Sequence, residues 1–167
     1  MPPKVTVKST FDFKLMARRA PKITALGING VADILRDDMK GGVARGQDIR
    51  GGKLEPLEPS TVRSKRRKGS PTARKPLLDT GRMIGAGAQR GRTGIFVKIR
   101  ANAKRLSAMI TVPQNRQLIG TVHNEGDGQP MRRFFYIIGI DKVTRPRAKM
   151  DKVLNLTTQK IARSARK

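Results

Sequence analysis

Between Arg63 and Lys75 the chain carries seven basic side chains, Arg63, Lys65, Arg66, Arg67, Lys68, Arg74 and Lys75, and no acid. A tract of that sign can neutralise the phosphates of a nucleic acid or clamp acidic surfaces on a neighbouring protein. Directly after it comes Leu77-Leu78-Asp79-Thr80-Gly81, a carboxylate in a glycine turn, the kind of group that can hold and pass a proton. The single histidine, His123, stands far down the chain. No Ser-His-Asp order and no His or Cys spacing for a metal accompanies it, so it reads as a structural residue at a strand end.

The run from Leu77 to Gly81 resembles the catalytic turn of retroviral-type aspartic proteases. Ile137-Ile138-Gly139 is similar to the hydrophobic-hydrophobic-Gly element that follows it in that family. The resemblance implies a dimer in which two Asp79 carboxylates share a proton and activate a water. Three features weigh against it. The position after the turn is Arg82, where a small residue is expected. Two strongly basic subunits gain nothing electrostatically by pairing. Short motifs also match by chance. In the simpler reading Asp79 and Thr80 cap a short helix, whose positive end suits an acid. The chain is therefore read as a non-enzyme with no catalytic residues, and no cofactor or metal is expected.

Composition points the same way. The 167 residues include 37 Lys and Arg against 12 Asp and Glu, a formal net charge of +25. Self-repulsion of that size calls for counter-charge from a polyanion or from acidic neighbouring subunits. Hydrophobic residues make up 37% and aromatics 4%, with 17 Gly and 10 Pro, so one domain with a modest core is expected, together with sizeable loops or arms. The absence of Cys excludes disulfides and thiolate sites. The first residues lack a continuous apolar stretch and no window is long enough to span a bilayer, so synthesis and first action in a cytoplasm, without a membrane partner, are expected.

The elements that must position these residues follow from periodicity. Val5, Val7, Phe11 and Phe13 alternate with polar residues, as in a strand or extended arm. From Pro21, residues Ile23, Leu26, Val31, Ile34 and Leu35 form an apolar helical stripe, with Gly41-Gly42 as its stop. Residues 41–55 are Gly-rich without the Gly-Lys-Ser/Thr order of a phosphate loop, and read as a flexible loop. Ser60 is a candidate N-cap for a short basic helix over 61–68, ended by Gly69 and Pro71. The runs 94–99, 107–112 and 118–123 are β-rich. After Pro146, Met150, Val153, Leu154 and Ile161 predict a terminal helix running into a basic tail. The fold class expected is α+β: an antiparallel sheet with flanking helices, long basic loops and extended termini. It forms a single domain over 1–167 with its core at about 20–160.

Taken in order, "LEPLEPSTVRSKRRKG", "KPLLDTGRM", "VHNEG" and "RRFF" resemble the virion-morphogenesis proteins of Mu-like tailed phages, the tail-completion or neck group. The residues that match are Pro56, Leu57, Ser60 and Thr61, then Leu78, Thr80 and Gly81 beside Asp79. His123, Gly126, Arg132 or Arg133, and Phe134 or Phe135 complete the set. Leu54 stands where that family has an aromatic, Met83 where it has Leu, and 63–75 is more basic than its pattern. The resemblance implies a head–tail joining protein of the virion neck, assembled in the host cytoplasm. Its expected state is a homo-oligomeric ring, a hexamer with a dodecamer as the alternative. Portal or adaptor and tail-tube proteins are the expected partners, with genomic double-stranded DNA in the lumen. A general nucleic-acid-binding protein, ribosomal in type, accounts for the charge equally well but not for the ordered motifs.

Overall fold

The computed structural model describes residues 12–77, 94–112, 114, 126, 132, 134 and 145–165. They form three helices and a two-stranded antiparallel sheet, an α+β arrangement. Helix α1 spans Phe13–Arg45, α2 spans Pro59–Arg67 and α3 spans Arg147–Ser164. Strands β1 (Phe96–Ile99) and β2 (Met109–Thr111) pair Phe96 with Thr111 and Val97 with Ile110, and the register shifts between Val97 and Ile99. The candidate strand 118–123 lies outside the described residues, as do residues 1–11.

Helix α1 is longer at both ends than periodicity predicts. Asp12 caps it, its Oδ1 accepting from the Leu15 amide at 2.9 Å, so Phe13 belongs to the helix and not to an extended arm. Pro21 lies well inside it, where its missing N–H removes one helical hydrogen bond, yet the helix continues. Gly41-Gly42 does not stop it either. A Cβ on Gly42 would stand 2.8 Å from Arg145 Nη2, so this glycine makes room for a guanidinium. The helix ends at Gly46, whose left-handed φ of 71° closes the last turn.

Two different faces of α1 do different work. On one, Leu35, Met39 and Val43 repeat every four residues and build the core with Ile49, Ile95, Val112 and Phe134. Leu26 falls nine residues, or two and a half turns, from Leu35 and so faces the other way, 70% exposed, against its place in the predicted stripe. On the second face α3 packs antiparallel. The Asp12 amide donates to Ala165 O at one end (2.8 Å), and Arg145 grips Asp38 at the other (2.8 Å). Between these ties Gly27 meets Thr157, where an added Cβ would lie 2.5 Å from Oγ1, and Gly30 meets Val153. Of the predicted apolar residues of α3, Leu154 is exposed, whereas Val153 and Met150 turn inward.

Residues 46–54 are a hydrogen-bonded turn rather than a flexible loop. Asp48 Oδ1 accepts from the amides of Arg50 and Gly52 at 2.9 and 2.7 Å, Gln47 bridges Lys53, and the Leu54 amide donates to Gly46 O. Ile49 and Leu54 are buried by it. Arg145 ties this turn to the helices, donating through Nη1 to Asp48 O (2.9 Å) while its other nitrogens engage Asp38. The β1–β2 connection is tied to α1 in turn. Asn29 and Ala101 exchange two hydrogen bonds, at 2.8 and 3.0 Å, and Arg100 pairs with Asp33 at 2.9 Å. Arg100 donates to the Asp33 carboxylate, and that hydrogen bond, reinforced by the carboxylate's charge, raises the Arg100 pKa above its ordinary value.

Candidate nucleic-acid and partner interface

Helix α2 begins at Pro59, a residue suited to a first helical position, with Glu58 before it as the N-cap. Ser60 therefore sits in the first turn, exposed like Thr61, and does not cap. The helix closes at Lys68, and Gly69, with φ of 70°, reverses the chain. Its last turn carries Lys65, Arg66 and Arg67 and no acid, the favourable sign for the negative end of the helix dipole.

The seven basic residues do not act alike. At 100° per residue, Arg63, Arg66 and Arg67 fall within an arc of about 100° and are exposed. Lys65 lies on the opposite side and is 8% exposed. Its Nζ donates to Thr72 O at 3.2 Å and to Lys75 O at 3.0 Å, folding residues 70–75 back against the helix. The Ser70 amide, donating to Lys65 O at 3.0 Å, closes the same fold. Lys65 is thus a structural residue, which corrects its expected place among the contact residues: an ammonium on the inner face is used up by backbone carbonyls. Lys75 Nζ reaches Ala44 O in the last turn of α1 at 3.3 Å and steadies that helix end. Arg63, Arg66, Arg67, Lys68 and Arg74 remain exposed, and no described carboxylate pairs with them.

The described aspartates are elsewhere, and the described glutamates, Glu55 and Glu58, stand ahead of α2 and form no ion pair with these bases. Every aspartate among the described residues is engaged: Asp12 at the α1 cap, Asp33 and Asp37 with Arg36, Asp38 with Arg145, Asp48 in its turn and Asp151 near Arg147. The positive field over α2 is consequently not cancelled by these groups. Such a face suits a phosphate backbone or a partner's carboxylates; a helix with no stacking aromatics offers nothing to unpaired bases.

The motif residues fall into three groups. Arg132 is 3% exposed and donates from Nε to Glu55 O and from Nη2 to Pro56 O, both at 2.9 Å. It therefore clamps the segment that leads into α2, with Leu57 half-buried just beyond. Phe134 lies in the core, and Gly126 adopts φ of 84°, a left-handed geometry that favours glycine. Leu78, Asp79, Thr80, Gly81, His123, Arg133 and Phe135 lie outside the described residues. Comparison with known proteins adds no relative. No family model matches the chain, and no curated protein or solved structure does.

Sequence reasoning missed the Lys65 anchor, although one signal was present. Val62 is the sole apolar residue of α2, and Lys65 and Arg66 follow it by three and four positions on the same face, which narrows the anchor to two bases. The Asp38–Arg145 and Asn29–Ala101 ties join residues far apart in the chain and leave no local trace. Among the described residues no helix is long and apolar enough to cross a membrane, and no cluster of three or more His, Cys, Asp or Glu could hold a metal ion.

Proposed function

We propose that the chain is a structural, non-catalytic head–tail joining or tail-completion subunit of a tailed-phage virion. It forms a ring at the neck between portal or adaptor and tail tube. The observation that carries this reading is the clamp of Arg132 on the carbonyls of Glu55 and Pro56. It joins two segments, "LEPLEP" and "RRFF", whose order in the chain gives the resemblance to that group of phage proteins. The clamp sets the start of α2, and the buried Lys65 sets its rotation, so Arg63, Arg66 and Arg67 are held facing outward.

In that setting the basic face meets double-stranded DNA in the lumen or acidic surfaces of neighbouring subunits, and either offsets the repulsion among six like-charged copies, or twelve in the alternative ring. The finer architecture expected of such a subunit, a sheet flanked by helices with long basic loops and extended termini, completes its order on assembly. The outward arginine face equally favours a second reading, a general nucleic-acid-binding protein. Co-expression with a phage portal and tail tube, followed by particle imaging, separates the two. The neck reading expects ring-shaped density at the head–tail junction that disappears when the chain is omitted. Sequence-independent DNA binding with no incorporation into particles would favour the second reading and contradict the first.

A further inference from the structure

The apolar face of α1 does not end with the core. Ile28 and Val31 continue it toward the N-terminus from Leu35, and opposite them run Leu106, Met109 and Ile110 of the β1–β2 limb. Between the two walls lies an open apolar groove of about 440 Å³, and no charged residue is among its described lining. Its lip is apolar where solvent would ordinarily demand polar groups, with Leu106 48% and Met109 49% exposed. The limb that carries the lip is fixed to α1 by the paired Asn29–Ala101 hydrogen bonds and the Arg100–Asp33 bridge. Asn102 Oδ1, accepting from the amides of Lys104 and Arg105 at 2.9 Å, shapes the turn just before the lip. Lys104 and Arg105 are exposed and lead directly into Leu106.

We propose that this groove docks an acidic amphipathic segment of another protein. Apolar side chains of the segment enter between α1 and the 106–110 limb, and its carboxylates meet Lys104 and Arg105. Charge selects this occupant. A second copy would bring its own net +25 against a basic lip. A purely apolar ligand would leave the two cations without a role. Asp33, the carboxylate on the α1 side, is already engaged by Arg36 and Arg100 and does not repel an incoming acid as a free charge would. Met39 and Met109 let the walls adapt to side chains of different shape. An amphipathic helix enters such a groove through apolar residues spaced i, i+3, i+4 and i+7. The inference rests on a different face from α2 and does not require the virion reading.

The test uses a fluorescent peptide of about 16 residues with leucines at those four positions and glutamates around them, titrated into the full chain by anisotropy. A twin with lysines for glutamates and another with serines for leucines serve as controls. The full chain should bind the acidic peptide, and both controls about tenfold or more weakly. The neutral double variant L106S/M109S, which alters only the exposed lip, should lose about tenfold while keeping its melting temperature. The variant R63Q/R66Q/R67Q should bind within about twofold of the parent, since those residues lie on α2. Equal binding of the serine peptide, undiminished binding to L106S/M109S, or a loss confined to the α2 variant would overturn the proposal and reduce the effect to general charge attraction. Concentration-dependent dimerisation of the chain that L106S/M109S abolishes would overturn it in favour of a second copy.

Discussion

The α1–α3 seam and helix α2 use the same two charge types in opposite ways. At the seam Asp38 and Arg145, largely withdrawn from solvent, hold each other at 2.8 Å. On α2 the outward bases are paired with no described acid, and the one base that faces inward, Lys65, is satisfied by backbone carbonyls. Burial explains the division. A charge taken from water must be paired or hydrogen-bonded, whereas an exposed one can stay hydrated until a partner arrives. The Asp38–Arg145 pair is therefore expected to act on stability, and the outward bases of α2, on the proposed reading, on binding.

Substitutions can break this contrast, beginning with the seam. Asp38→Ala should cost about 3 kcal/mol, because it leaves Arg145 partly buried without its carboxylate; Arg145 keeps 20% side-chain exposure, so the loss stays at the low end for a buried pair. The midpoint of urea unfolding reports it, and the double variant D38L/R145M should lose less than the single losses combined. Lys65→Met should cost about 2 kcal/mol by stranding the carbonyls of Thr72 and Lys75, while leaving the salt dependence of DNA binding unchanged. An unaltered midpoint would show that Lys65 is not an anchor.

Gly27→Ala sets two effects against each other. Alanine favours a helix by about 1 kcal/mol, but its Cβ would sit 2.5 Å from Thr157 Oγ1, and forcing α1 and α3 apart costs about 1–3 kcal/mol. The net expectation is a loss of about 1 kcal/mol. Thr157→Ala in the same chain should recover it, and thermal unfolding of the pair would detect a failure to do so. Arg66→Gln, one residue from Lys65, should change stability by less than about 0.5 kcal/mol, as for any solvated surface charge.

How much of this was legible in the sequence depends on how local the cause is. Periodicity finds α1, α3 and both described strands, and Gly69 marks the end of α2, because each depends on neighbours in the chain. The ends of α1 escape periodicity because long-range contacts override local signals: Gly42 serves Arg145, and the Gly46–Leu54 turn is ordered by Asp48 and by burial of Ile49. Leu26 departs from the expected stripe because a loose run of apolar residues does not keep strict phase over nine positions. At the candidate site, the basic tract was plain from composition. Its division into an inner lysine and outer arginines is only half signalled, since Val62 has Lys65 and Arg66 on the same face and the carbonyls of Thr72 and Lys75 choose between them. The Arg132 clamp on Glu55 and Pro56 could not be read at all, since nothing in either segment specifies the other.

The central claim is that the outward face of α2 works through charge and not through stability. It is tested most directly by the salt dependence of duplex DNA binding, comparing the parent chain with a variant in which Arg63, Arg66, Arg67, Lys68 and Arg74 are all Gln. Each phosphate neutralised contributes about 0.9 to the slope of log K against log salt, so the slope should fall by up to about four units with the unfolding midpoint unchanged. Lys65→Met should reverse that pattern, shifting the midpoint and sparing the slope. An unchanged slope in the five-residue variant would contradict the account of α2 as the DNA-facing element.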